Sequence, residues 1–484
     1  MKGFQFASKR FLSVPQLRGL LMRKKSLVIG VIAGSLLLAM ASLFWLVHPV
    51  QSQGTFKGTP APKPAYYDRL LSEIDKDGDR LIEIFKDIHQ NPELQFEETR
   101  TAAIIAKELK ALGYEVKTGI AKTGVVGILR NGDGPKVMYR ADMDGLPVKE
   151  TTGLPYASTK QVKLPDGSDT YVMHACGHDS HVIWMLGLAK AMVALKSEWK
   201  GTLILVGQPA EEGVAGARAM VEDGLYTKYG VPVPDVLLGM HSAPGPTGFI
   251  ASASGTRMAG SDPIDILFKG VGGHGSSPHL AKDPILMAAN AIVQYQAIVA
   301  RAIDPQDAAV ITVGSFQAGD ANNVIPEEAL LKLSLRSFKP EVRETMLKGI
   351  VSVNKSIARA YGMPEDKLPT LTTKGGAPPL VNDKEVIDRV NPQLANLVGA
   401  TRLITEMPGT TGSEDVHLLK GDNKNIQFGF VFVGAADPTL VAKARAEGKI
   451  VPFSNHNPNF QIDLKAIPFG TKVASVMTME FLRK

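Results

Sequence analysis

Three short apolar stretches, residues 137 to 140, 202 to 206 and 236 to 239, each run directly into a polar group. These groups are Asp142-Met143-Asp144-Gly145, Gln208-Pro209-Ala210-Glu211-Glu212 and Met240-His241-Ser242. Apolar runs of this length bounded by turn residues read as strands buried on both faces, as in a parallel sheet covered by helices. In an open α/β sheet, ligands gather outside the carboxyl ends of the strands. The three polar groups are therefore expected on one rim. A fourth strand-like run, 426 to 433, precedes Ser454-Asn455-His456-Asn457-Pro458 and resumes the pattern.

Met173-His174-Ala175-Cys176-Gly177-His178-Asp179-Ser180-His181 places the chain's only cysteine among three histidines and an aspartate, just ahead of an apolar, helix-like run over 182 to 195. A thiolate and an imidazole two residues apart on irregular backbone can turn toward one divalent ion. Asp179 is the expected N-cap of the helix.

Residues 258–372 have a different rhythm. Strands at 263 to 269, 309 to 317, 328 to 338 and 370 to 373 and helices at 284 to 301 and 341 to 361 spell β-α-β-β-α-β. A ferredoxin-like unit inserted in the larger domain is expected. Glycines near 255 to 260 and at Gly375-Gly376 mark its two crossings. The fold class is thus α/β, with catalytic parts at 67–257 and 373–484.

The formal net charge of +6 and a pI near 9.0 could suggest nucleic acid. Seven basic residues, however, lie within the first 25, and without them the remainder carries −1. No nucleic-acid surface is implied. Residues 26 to 47 then form an uncharged apolar run of 22 residues directly after Arg23-Lys24-Lys25, long enough to cross a hydrocarbon core. Residues 1–25 read as a basic cytoplasmic region, 26–48 as a signal peptide or transmembrane anchor and 49–66, rich in Pro, Gly, Ser and Lys, as a linker. Met22 is an alternative start, and Ala39-Met40-Ala41 a candidate cleavage site. The body is expected to be exported to a bacterial periplasm, or held on the periplasmic face of the inner membrane through residues 26–48. A single cysteine in an exported chain is a free thiol, an intermolecular bridge or a metal ligand.

Two motifs are decoys. Asp75-Lys76-Asp77-Gly78-Asp79 resembles a calcium loop, but its sixth residue is Arg80 and its twelfth Lys86, so it reads as a solvated helix face. Gly270-Val271-Gly272-Gly273-His274-Gly275 matches a dinucleotide fingerprint, yet no helix begins at its last glycine and residues 288 to 302 contain no acid.

Cys176, His178, Glu212, His241 and His456 supply enough donors for two divalent ions, which together can activate water and polarise a carbonyl. On an extended segment the side chains of Glu211 and Glu212 point to opposite sides. One can bind metal while the other moves a proton.

These residues resemble the metal-dependent aminoacylase/carboxypeptidase family, in the branch of hippurate hydrolases and plant auxin–amino acid conjugate hydrolases. The resemblance rests on His89-Gln90-Asn91-Pro92-Glu93-Leu94, Arg140-Ala141-Asp142-Met143-Asp144-Gly145-Leu146-Pro147, His174-Ala175-Cys176-Gly177-His178-Asp179 and Gln208-Pro209-Ala210-Glu211-Glu212. It continues through Gly273-His274, Asn323-Val324-Ile325-Pro326-Glu327, Gly412-Ser413-Glu414-Asp415 and His456-Asn457-Pro458. It implies a dinuclear-metal exopeptidase-like domain with an inserted lid and dimerisation domain, and two divalent ions per subunit, Mn or Zn, with Co or Ni as further choices. By the same resemblance Cys176, His178, Glu212, His241 and His456 are the ligands, with Cys176 bridging. Glu211 is then the general base, and Asp144 joins the catalytic group. His274 and Asn323 would bind the substrate carbonyl and carboxylate, His274 serving the partner's site across a homodimer. The implied reaction is hydrolysis of an N-acyl amino acid or short peptide. Gly145, Val416 and the hairpin-like stretch 153 to 170 depart from the family pattern and bear on substrate preference. The alternatives are a thiol hydrolase using Cys176 and a noncatalytic peptide-binding protein.

Overall fold

The computed structural model describes residues 54–484; the basic region and apolar run at 1–48 lie outside them. Along the chain come helices α1 (Tyr67–Lys76), α2 (Gly78–Gln90) and α3 (Thr99–Ala111), then strands β1 (Glu115–Ile120), β2 (Gly124–Asn131) and β3 (Lys136–Asp142). Helix α4 (His178–Ala194), β4 (Gly201–Gln208), α5 (Gly216–Glu222), β5 (Val236–Pro246) and β6 (Ile250–Ala251) follow. The inserted segment holds β7 (Gly260–Lys269), α6 (Pro284–Ala297), β8 (Ala309–Gln317), β9 (Glu328–Ser337), α7 (Pro340–Ala360) and β10 (Thr370–Thr373). The chain closes with α8 (Lys384–Val398), β11 (Leu403–Ile404), β12 (Gln427–Ala436), α9 (Pro438–Ala446) and α10 (Ala466–Leu482).

The central sheet has eight strands in the order β1-β2-β4-β3-β5-β12-β6-β11. Its middle, β4-β3-β5-β12, is parallel, as the continuous apolar runs require. Asp142 pairs in register with Gln208, and His241 with Phe432, so the strand ends share the rim expected from the sequence. One face is covered by α1, α2, α4 and α10 around Trp184 and Phe85. A second cluster, including Phe428, Phe430 and Leu237, fills the other.

Helix α4 is buried over nearly its whole length, which explains a run apolar on every side. Its cap differs from expectation. Gly177, at φ 86, is the N-cap, and Asp179 lies inside the first turn. A side chain at Gly177 would meet Ser242 Oγ at 2.4 Å, and the left-handed φ independently favours glycine. Asp179 instead faces His89, its Oδ2 2.6 Å from Nδ1.

The inserted segment forms a four-stranded sheet in the order β8-β9-β7-β10, antiparallel throughout. Its helices α6 and α7 pack together and on that sheet around Phe268, Tyr295 and Met346.

Two expectations give way. Residues 54–66, linker-like in composition, are docked: Thr55 bridges Ile404, Phe56 N–H donates to Leu403 O, and Asn396 donates to Ala61 O. An extended, proline-rich segment has few backbone partners of its own, and these meet the edge strand β11 and α8. Asp77 is buried at the junction of α1 and α2, taking Arg80 at 2.8 Å and Lys190 at 2.5 Å, so that stretch is not wholly solvated.

Candidate metal centre

Asp144 organises the rim. Its carboxylate accepts the backbone N–H groups of Glu211 at 3.1 Å and Glu212 at 3.0 Å. Its carbonyl oxygen lies 2.9 Å from His178 Nδ1, which gives that nitrogen the proton and directs Nε2 into the site. There Nε2 has no hydrogen-bond partner among the described residues, nor has Glu212 Oε1, 3.9 Å away. Glu211 Oε2 is 3.7 Å from the same Nε2. His241 repeats the pattern: Nδ1 is 2.7 Å from Ser242 O, and Nε2 is 3.4 Å from Cys176 Sγ. His456 Nε2 is 3.2 Å from Glu212 Oε2. Asn455 donates to Cys176 Sγ at 3.4 Å.

The turn carrying both glutamates is tightly wound. Ala210 and Val214, each at φ 51, flank Glu211-Glu212-Gly213, and a β-branched residue in that region is a strained one. Gly216 closes the turn by donating to Ala210 O at 3.1 Å; a Cβ there would lie 1.6 Å from Pro209 O. His456 is itself at φ 67, with its N–H bonded to Ala175 O at 2.7 Å.

Electrostatics suits the donors. Burial alone would raise the Cys176 thiol, but His241, with His178 and His456, holds it well below its usual range. A thiolate is the form that binds metal. Burial would likewise lower His178 and His241, yet Asp142 and Asp144 raise the first well above its ordinary value and Cys176 raises the second to about 9. An ion bound by these imidazoles would displace their protons. Glu211 is pushed well up by burial, then by Glu414 and Glu212, the direction that suits a carboxylate base at neutral pH.

Behind the donors lies a buried ionic lattice whose individual roles the sequence did not reveal. Arg140 donates to Glu414 at 2.8 and 3.1 Å, Asp142 at 2.7 Å, Asp415 at 3.2 Å and Gln208 at 2.8 Å. Asp142 Oδ1 is 2.6 Å from His181 Nδ1, and His181 Nε2 accepts the Ser242 N–H at 2.8 Å. Arg140 and Glu414-Asp415 stood in recognisable motifs, but their distance of 274 residues hid the pairing.

His274 and Asn323 lie on adjoining segments of the inserted layer. Gly275 N–H donates to Asn323 O at 2.8 Å, and His274 pairs with Val324. His274 lines a cleft of about 560 Å³ together with Gly272, Asp320, Val324 and Glu327. Among the described residues no hydrogen bond or ion pair joins His274 or Asn323 to the Cys176-centred cluster, whereas Cys176, His178, Glu211, Glu212, His241 and His456 lie together.

Residues 138–478 match the model of peptidase family M20/M25/M40. The chain belongs to that family. It is 43% identical to a hippurate hydrolase of Campylobacter jejuni over 64% of this chain and 77% of that one. It is 32% identical to IAA-amino acid hydrolase ILR1-like 2 of Arabidopsis thaliana, over 84% and 86%. Among solved structures, the Bacillus subtilis YXEP protein, described as a dinuclear metal-binding peptidase, superposes with a TM-score of 0.66 at 29% identity over 84% of this chain and 99% of that one. This member of the M20 family is accordingly a hydrolase acting on amides. The donors fit the ions of a dinuclear centre: a thiolate, three imidazoles and a carboxylate converge, two of them through buried atoms with no hydrogen-bond partner among the described residues.

Proposed function

We propose that this M20 hydrolase is metal-dependent and cleaves the amide bond of N-acyl amino acids or short peptides, releasing a free amino acid. The observation that carries the reading is the division of labour in adjacent glutamates. Both approach His178 Nε2, Glu211 at 3.7 Å and Glu212 at 3.9 Å, but only Glu212 also reaches His456, at 3.2 Å, while Glu211 is fully buried beside Glu414.

Cys176, His178, Glu212, His241 and His456 would hold two divalent ions, Mn or Zn, with Co or Ni as further choices. Such ions polarise the scissile carbonyl and make water a nucleophile at neutral pH. Glu211 takes the proton of the attacking water and delivers it to the leaving amine. Asp144 fixes both glutamates and the tautomer of His178. His274 and Asn323 receive the substrate's carbonyl and carboxylate.

Because His274 and Asn323 share no bond with the donor cluster, the reading includes a homodimer in which the ferredoxin-like layer acts as lid and interface. Leu286 and Val293 on α6 and Phe316 on edge strand β8 are exposed, an apolar surface suited to burial against a second copy. Residues 26–48 would export the body, or anchor it, on the periplasmic side of a membrane.

The test is a panel of N-acyl amino acids and dipeptides, run after chelation and after adding back Mn²⁺, Zn²⁺, Co²⁺ or Ni²⁺. Activity is expected only with metal. Hydrolysis that survives complete metal removal would transfer the chemistry to the Cys176 thiol; binding without turnover on every substrate would leave a peptide-binding protein.

A further inference from the structure

Glu98 is fully buried, yet among the described residues it makes no hydrogen bond to any of the donor side chains. It precedes α3 as its N-cap residue, but its side chain does not cap that helix. The first-turn amides of Arg100 and Thr101 are taken instead by Glu93, each at 2.9 Å. The Glu98 carboxylate is thereby free to turn inward. Its Oε1 accepts the N–H of Ala210 at 2.8 Å and of Phe96 at 3.0 Å, and its Oε2 accepts the Thr123 hydroxyl at 2.5 Å.

Ala210 immediately precedes Glu211, and both Ala210 and Phe96 have a left-handed backbone, at φ 51 and φ 60. One oxygen thus pins two strained residues from segments 114 positions apart. The same segment reaches the other end of the glutamate turn through Gln95, whose Oε1 would be 2.2 Å from a Cβ placed on Gly213.

We propose that Glu98 is a positioning residue for the Glu211 and Glu212 carboxylates, fixing their turn through the amide of Ala210. This rests on the roles proposed for those two glutamates. A strained turn keeps its shape only while its surroundings over-determine it, and partners behind metal ligands typically affect affinity or activity about 10- to 100-fold.

The test compares Glu98→Ala, Glu98→Asp and Glu98→Gln on the full chain, with hippurate as substrate and Mn²⁺ affinity measured by chelator competition. Glutamine keeps an oxygen for both amides and an NH₂ that Thr123 Oγ1 can accept. Alanine has no acceptor, and aspartate is one methylene short. For Glu98→Ala and Glu98→Asp, kcat at saturating metal should fall at least about 10-fold with KM nearly unchanged, and Mn²⁺ affinity should fall about 10- to 100-fold. Glu98→Gln should restore both. A folded Glu98→Ala with wild-type kcat and Mn²⁺ affinity overturns the proposal, as does a glutamine variant no better than alanine. Should alanine fail to fold, the aspartate and glutamine variants decide the matter by the same readouts. If Glu211→Gln keeps full activity, or hippurate is not cleaved, the functional reading fails separately, and the Mn²⁺ measurement still tests the clamp through Glu212.

Discussion

His178 Nε2 and Glu212 Oε1 face each other at 3.9 Å, both buried and neither with a hydrogen-bond partner among the described residues. Leaving two such atoms unpaired is costly in a protein interior, on the order of 1–3 kcal/mol for each, a cost that the divalent ion proposed for this site would remove. Glu212→Gln should lose most of its bound metal, measured by elemental analysis of the purified protein. Glu211→Gln should keep its metal and lose turnover by about 10² to 10⁴ or more, the usual scale for a general base. Normal turnover in a metal-loaded Glu211→Gln protein would remove Glu211 from the chemistry.

Cys176 gives a second test. A ligating thiolate is shielded by its ion, whereas the chelated protein presents a thiol held in its reactive form by the neighbouring imidazoles. Thiol reagents should label chelated protein much faster than metal-loaded protein, as mass spectrometry would show. Equal rates would place Cys176 outside the metal centre.

The strand-end rim and the β-α-β-β-α-β order were legible because period and length report them directly. Apolar runs such as 202 to 206 mark buried parallel strands, and β7 to β10 fall close to the strands read from sequence. The donor types were equally plain at Cys176 and His178. The packing behind them was not. Nothing local to Glu98 distinguishes a carboxylate that caps its own helix from one that pins Ala210, 112 residues away. Asp179 departs from its expected place for the same reason: it has the chemistry of a cap, but Gly177 supplies the left-handed turn and His89 claims the carboxylate. Composition also misled at residues 54–66, where proline signals extended chain without showing whether a sheet edge awaits it.

The His89 ion pair predicts a pH dependence of stability. Burial alone would lower this histidine, but its hydrogen bonds to Asp179 and Glu150 outweigh that and raise it to about 9. Because the folded value exceeds the ordinary 6.5, the contribution is fully present below about pH 6.5 and is lost as pH rises through about 9. A difference of this size corresponds to on the order of 3 kcal/mol. Glu150, held low against its burial chiefly by its hydrogen bond to His89, reports the same interaction from the other side, and Asp179 is held low by His174 and then by His89; both lose it only at acid pH. In urea unfolding, the stability gap between wild type and His89→Gln should shrink by on the order of 3 kcal/mol from pH 6 to pH 10. A gap constant across that range would mean that His89 is neutral in the folded protein.

His274 supplies the last test, because its place in the fold separates two ways of completing the site. It sits on the inserted layer, exposed, with its Nδ1 accepting the Ser276 N–H at 3.1 Å, and among the described residues it has no hydrogen bond or ion pair to the donor cluster. Either the layer swings on its crossings near Gly255 and Gly375-Gly376, all at positive φ, or a second copy provides the imidazole. Its expected duty is to stabilise the oxyanion as the carbonyl is attacked, a contribution of about 2.7–4 kcal/mol in other enzymes. His274→Ala should therefore lower kcat by about 10² to 10³ while metal content stays unchanged. Mixing it with Glu211→Gln distinguishes the two geometries. In a shared site, a hybrid dimer pairs the intact Glu211 of one chain with the intact His274 of the other, and part of the activity returns. In a site completed within one chain, every site still lacks one of the two groups, and mixing restores nothing once subunit exchange has been verified by mass.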